Sequence, residues 1–96
     1  MDRDAERAAV KAVLARLQSR APGRAVEVRI PPYAAVQILE GPAHKRGTPG
    51  AVVEMDAASL LGLAHGTLHW EDLVRTGRVR ASGERSDLRA LFPLTD

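Results

Sequence analysis

His65 and His69 stand four positions apart, the spacing that sets two imidazoles on one helix face for a metal ion. Gly66 lies between them and reads as a helix stop, so the pair straddles a break. The chain has no cysteine, and only Glu71 or Asp72 could add a third ligand. Capping or surface histidines are the plainer reading, and His44 sits alone in a loop. The segment from Gly41 to Thr48 has the glycines of a phosphate loop. It ends Arg46-Gly47-Thr48 rather than Gly-Lys-Ser/Thr, and it leads into a strand rather than a helix N-terminus. It reads as an ordinary surface turn.

Nucleophilic and acid–base chemistry fare no better. The hydroxyls are Ser19, Ser59, Ser82, Ser86, Thr48, Thr67, Thr76 and Thr95, and none stands in a Gly-x-Ser-x-Gly elbow. Glu71 and Asp72 are adjacent on a helix, so they point about 100° apart and cannot work as a carboxylate pair. Asp56, Ser86 and Asp87 suit helix caps. With no catalytic constellation, the weight moves from enzyme to binding module, with no cofactor and no metal expected.

The elements that would position these residues follow from periodicity. Residues 4–20 carry Ala8, Val10, Val13, Leu14 and Leu17 at helical spacing, with Asp2 or Asp4 as cap and Ala21-Pro22-Gly23 as terminator. The period then falls to two. Val26, Val28 and Ile30 alternate with Glu27 and Arg29 in a half-buried strand that Pro31-Pro32 stops. A second strand is expected over 33–40, with Val36 and Ile38 on one face and Gln37 and Leu39 on the other. Both faces look apolar enough for a place near the sheet centre.

Residues 41–50 are a loop by every breaker rule, and 51–55 a third strand. Asp56 caps a helix from Ala57 to His65, and Gly66 ends it. A short helix follows, with Thr67 or His69 at its start, the stripe Trp70, Leu73, Val74, and Gly77 past its end. Val79 and Ala81 alternate with Arg78, Arg80 and Ser82 in a last strand. A final helical turn runs through Leu88, Leu91 and Phe92. The order αβββααβα predicts the α+β class: one mainly antiparallel sheet covered by helices on one face.

Composition sets the frame. Ninety-six residues leave room for one domain, 1–96, with a modest core. Hydrophobic residues make up 45% and charged ones 27%, which suits a globular chain. The aromatic residues are Tyr33, Trp70 and Phe92, so aliphatic side chains must fill the interior. The net charge is +2, and 12 of the 14 cations are arginines. They are spread among acidic neighbours instead of forming a stripe, and stacking rings are few, which argues against a nucleic-acid partner. No window approaches the roughly 18–20 apolar residues of a membrane span, so no stable membrane insertion is expected. The acidic start Met1-Asp2-Arg3-Asp4 is unlike a signal peptide, and a cytoplasmic place is the expectation.

One pattern is specific. A strand ends in Asp56, and a helix ends Leu63-Ala64-His65-Gly66. Trp70-Glu71 opens a helix that stops at Gly77, and a strand closes Ala81-Ser82-Gly83. This resembles the sterol carrier protein 2 superfamily, in particular its small bacterial branch. It is also similar to the C-terminal domain of the mycothiol-dependent maleylpyruvate isomerases. The run from Gly23 to Pro32 and the Glu40-Gly41-Pro42 turn extend the likeness over nearly the whole chain. The chain departs from the bacterial branch in carrying Leu60 where Trp is common and Gly62 inside the helix.

The resemblance implies an apolar cavity between helices and sheet, where larger members bind sterols, fatty acyl groups or other lipids. Here Leu60, Leu61, Leu63, Trp70, Leu73, Val74, Leu91 and Phe92 would face Val36, Ile38, Val53 and Met55 across one interlayer space. The expected ligand site comprises Val36, Ile38, Val53, Met55, Leu60, Leu63, Trp70, Leu73 and Phe92, with a small apolar molecule or lipid as partner. The plainer reading is that the same side chains fill the space as core, since interiors close-pack unless a cavity is preserved. The chain would then be an accessory domain, supporting a partner enzyme or pairing with its own copy.

Overall fold

A computed structural model describes residues 1–41 and 50–94. Most of the expected 41–50 loop, with His44, Lys45, Arg46 and Thr48, lies outside the described residues, as does Thr95. Helix α1 spans Arg3–Arg20, and Asp2 caps it by accepting from the Ala5 amide at 2.7 Å. Val10, Val13, Leu14 and Leu17 form its buried stripe. Ala8 is exposed, against expectation, because two residues of helix turn it about 200° away from Val10.

Strand β1 (Val26–Ile30) pairs antiparallel with β2 (Ala34–Ile38) and parallel with β3 (Ala51–Met55). Strand β4 (Val79–Gly83) pairs antiparallel with β3, giving the sheet order β2-β1-β3-β4. The sheet is therefore antiparallel at its two outer pairs and parallel at its centre. Strand β2 is an edge, not central as its composition suggested. Leu39, which made its second face look apolar, has left the strand. It adopts φ +66°, donates its amide to the Ala21 carbonyl at 2.7 Å and accepts from the Ala25 amide at 2.9 Å.

One sheet face is apolar: Val26, Val28, Ile30, Ile38, Ala51, Val53, Met55 and Val79 are all buried. The other face carries the ion pairs Arg29–Glu27 and Arg80–Glu54. On the apolar face lie α1, which packs on β2, then α2 (Ala57–His65), which packs on α1, and α3 (Trp70–Arg75), which packs on β4. A 3-10 turn at Arg89–Leu91 takes the place of the final helical turn. Among the described residues no helix is long and apolar enough to cross a membrane.

Two expectations fail around α3 for one reason. A six-residue helix rises only about 9 Å, too little to cover a strand of about 17 Å. Helix α3 therefore shields Val79 and leaves Ala81 exposed. Its single buried edge is taken by Trp70 and Leu73, and Val74 turns outward, 42% exposed.

Tyr33 ties the far end of the molecule together. Its hydroxyl donates to Glu6 Oε1 at 2.5 Å, and Arg7 lies 6.0 Å from its ring centroid. The bond to Glu6, which favours the protonated phenol, raises the Tyr33 pKa above its ordinary value.

Candidate ligand-binding site

Helix α2 begins where Asp56 accepts from the Ser59 amide at 2.6 Å. Partial burial pulls the Asp56 carboxyl upward. The Ser59 amide, the Ser59 side chain and the Arg78 guanidinium, 3.6 Å away, outweigh that and hold it below the ordinary carboxylate range. The helix ends at Gly66, whose φ of +83° a residue with a side chain rarely adopts. The Thr67 amide reaches back to the Gly62 carbonyl at 2.9 Å, and the Gly66 amide to that of Leu63 at 3.3 Å. This is the Schellman arrangement.

That fold-back drops Leu68 onto Gly62. A Cβ on Gly62 would stand 2.4 Å from Leu68 Cδ1, so the glycine is a notch that the leucine fills. His69 then begins α3 without a side-chain cap bond, and Trp70 enters the protein, 5% exposed. The C-terminal segment closes the third side. Leu88 and Leu94 are buried anchors, and the Leu94 amide donates to the Ala64 carbonyl at 2.9 Å. Phe92 is thereby held nearly parallel to Trp70, with ring centroids 6.4 Å apart and planes 16° apart.

Between these three pieces lies a hollow of about 360 Å³. Its apolar wall is Leu63, Leu68, Trp70, Phe92 and Pro93, with Gly66 beside them. His69, Glu71 and Arg89 form the polar rim, where Arg89 Nη1 lies 3.0 Å from Glu71 Oε1. The volume is at the small end of the roughly 300–1,000 Å³ typical of ligand sites. The arrangement suits a small apolar group lying against two rings, with a polar end at the mouth.

A second hollow, of about 430 Å³, is lined by Pro31, Glu54, Met55, Asp56, Gly77, Arg78 and Arg80. Its guanidinium groups already pair with Asp56 and Glu54, so it offers little to an apolar molecule.

The expected site residues thus divide. Leu63, Trp70 and Phe92 come together in the first hollow, and Met55 lies at the second. Ile38, Val53, Leu60 and Leu73 are buried in the core and line neither hollow. Val36 is half-buried on the edge strand, and Leu61 and Leu91 are half-buried. Val74, expected to face the sheet, points outward. His65 ends α2 and His69 precedes α3, both exposed, on either side of the Gly66 break.

Leu68, Pro93 and Arg89 were not singled out from sequence. The signal for Leu68 existed: an apolar residue just past a helix-ending glycine commonly folds back on the last turn.

A family model described as bacterial SCP ortholog matches residues 2–94. Among solved structures, the sterol carrier protein 2 like 2 of Aedes aegypti is 17% identical. It has a TM-score of 0.52, with 88% of this chain and 93% of that chain covered. The sterol carrier protein 2 like 3 of the same insect is 13% identical, with a TM-score of 0.47 and coverage of 84% and 91%. No protein with a curated description matches the sequence.

Proposed function

The chain belongs to the bacterial SCP orthologs, and from that membership we propose that it binds a small apolar ligand, lipid or sterol-like, not in the helix–sheet interlayer expected from sequence but in the hollow between α2, α3 and the C-terminal segment. It acts as a carrier in the cytoplasm and makes or breaks no bond in its cargo. The observation that carries this reading is the grouping of Leu63, Trp70 and Phe92 around one hollow, with Leu68 and Pro93 completing an apolar wall. These residues come from two helices and the C-terminal segment. Such a wall binds by area, at about 25 cal/mol per Å² removed from water.

A second reading has its own observation. Ile38, Val53 and Leu60 have no exposed surface and line neither hollow. A chain whose interlayer space is simply filled would be an accessory domain that supports a partner enzyme and takes no ligand.

A titration of Trp70 fluorescence with straight-chain alkyl compounds of increasing length separates the two. The carrier reading expects saturable binding that strengthens by up to about 0.8 kcal/mol per methylene and then levels off. A flat signal at every chain length gives the case to the accessory domain.

A further inference from the structure

Strand β4 ends the sheet: β3 pairs with one side of it, and no strand among the described residues pairs with the other. Such an edge presents a row of open amides and carbonyls, which natural proteins blunt with lysine, proline, a bulge or a cover. Strand β4 has no lysine or proline, and its register with β3 runs unbroken from Val79 to Gly83. Its one charge, Arg80, is taken by Glu54. Its cover is partial, because α3 shields Val79 and leaves Arg80, Ala81, Ser82 and Gly83 exposed. The opposite edge is guarded: α1 packs on β2, and Tyr33 beside that strand is bonded to Glu6 of the helix.

The exposed strand complements itself. Ala81 is the middle of its five residues. A second copy laid antiparallel, with a two-fold axis at Ala81, pairs all five. Ala81 meets the partner's Ala81, Arg80 meets the partner's Ser82, and Val79 meets the partner's Gly83. Helix α3 stands over Val79, and the partner's Gly83 brings no side chain to collide with it. Arg78 lies three residues before Ala81 and Glu84 three after, so each Arg78 comes opposite the partner's Glu84. Glu84 is exposed and makes no ion pair among the described residues. Moving the axis to Arg80 sets that arginine against the partner's Arg80, and like charges directly opposed are destabilising. Moving it to Ser82 pairs only three residues of each strand, Ala81 to Gly83.

We propose that β4 pairs with β4 of a second copy, so that two four-stranded sheets become one continuous sheet. The axis stands perpendicular to the sheet, so the helices of both copies, and the hollows between them, lie on the same face. The assembly closes on itself, since it uses both β4 edges and leaves outside only the β2 edges under α1. A strand pair this short makes a small interface, which places the dissociation constant at about 10–100 μM. The pairing stands apart from the ligand-binding reading, which a monomer and a dimer satisfy equally.

The test uses the whole chain in sedimentation equilibrium from about 1 μM to 1 mM, a range that brackets this association. Wild type should pass from monomer to dimer. Ala81→Arg sets like charges face to face at the axis and should weaken the dimer at least about tenfold. Its melting temperature at low concentration should match wild type, because Ala81 is exposed. Glu84→Arg should weaken the dimer about three- to tenfold. A covalent readout fixes the register. The chain has no cysteine, so Ala81→Cys adds one thiol per copy. Directly opposed Cα atoms in an antiparallel pair lie about 4.5–5.5 Å apart, within the roughly 4.4–6.8 Å that a disulfide spans. Mild oxidation should link Ala81→Cys about tenfold faster than Ala35→Cys, exposed on β2. A monomer at every concentration overturns the pairing, as does a dimer that Ala81→Arg leaves intact. Equal rates of linking for the two cysteine variants overturn it as well.

Discussion

Leu68 occupies the space that a side chain at Gly62 would need, with its Cδ1 2.4 Å from where that Cβ would stand. Helix propensity alone favours Ala over Gly by about 1 kcal/mol in a helix interior. Overpacking of a close contact costs about 1–3 kcal/mol, so the clash should win. Gly62→Ala is expected to lower stability in urea melts. In a Leu68→Ala background the same change should be neutral or stabilising. A stabilised single mutant would mean that Leu68 leaves the notch freely.

Trp70 sits at the first position of α3, 5% exposed and stacked on Phe92. It links α3, the C-terminal segment and the hollow through one side chain. Trp70→Ala should cost about 3–5 kcal/mol, the range for deleting a large buried ring. A loss near 0.5 kcal/mol or below in denaturant melts would show that the ring contributes no packing.

These two sites mark what the sequence makes legible. Strand and helix identities follow from periods of two and 3.6, and the glycine stops and the Asp56 cap follow from local chemistry. The errors arise where a tertiary fact overrides a local pattern. Leu39 continues an apolar run but turns out at positive φ, so β2 is shorter and more polar than it reads. Val74 continues a helical stripe on a helix too short to bury it. The site is half legible for the same reason. Leu63 and Trp70 are apolar points on clear helical stripes, whereas Arg89 and Pro93 reach the hollow through a 3-10 turn that no periodicity announces.

Gly66 and Gly77 both adopt positive φ, +83° and +81°, as the stops after α2 and α3. A Cβ at Gly77 would meet nothing within 4 Å, and one at Gly66 would make only ordinary contact with Pro93 at 3.5 Å. Backbone strain is therefore the whole effect. Alanine at either position should destabilise by about 1 kcal/mol, although Gly→Ala at a compatible φ would stabilise through the unfolded state. Thermal melts that place either mutant above wild type would contradict the left-handed stop.

Asp56 makes stability depend on acid. Its folded-state pKa lies below the unfolded value: partial burial opposes the shift, and the Ser59 amide, the Ser59 side chain and Arg78 outweigh it. A depressed carboxyl contributes stability that is present above its unfolded pKa, about 4, and lost as pH falls through the lower folded value. Asp56→Asn keeps a capping oxygen but cannot titrate. The mutant should therefore lose less stability than wild type between about pH 4 and pH 2. Asp56→Ala should lose about 0.5–2 kcal/mol at neutral pH as well. Parallel acid slopes for wild type and Asp56→Asn would show that the cap carries no titration linkage.

Leu63 offers a direct way to close the hollow. It is 1% exposed, it lines the hollow with Trp70 and Phe92, and it belongs to α2 rather than to the sheet. Leu63→Trp puts a larger, flat ring into the wall of a space of about 360 Å³, where it obstructs the path of an alkyl chain beside Trp70 and Phe92. Forcing extra volume into packed surroundings costs about 1–3 kcal/mol, which a domain of ordinary stability, about 5–15 kcal/mol, survives. A second ring also needs a second readout, because a new Trp confuses the fluorescence of Trp70. Calorimetry of alkyl binding should find that the folded mutant takes up no chain, whatever its length, while far-UV circular dichroism stays as in wild type. Phe92→Leu, which enlarges the space at another lining position, should keep binding and move the length at which affinity levels off upward. Should Leu63→Trp bind the chain series as wild type does, the ligand lies elsewhere than in this hollow.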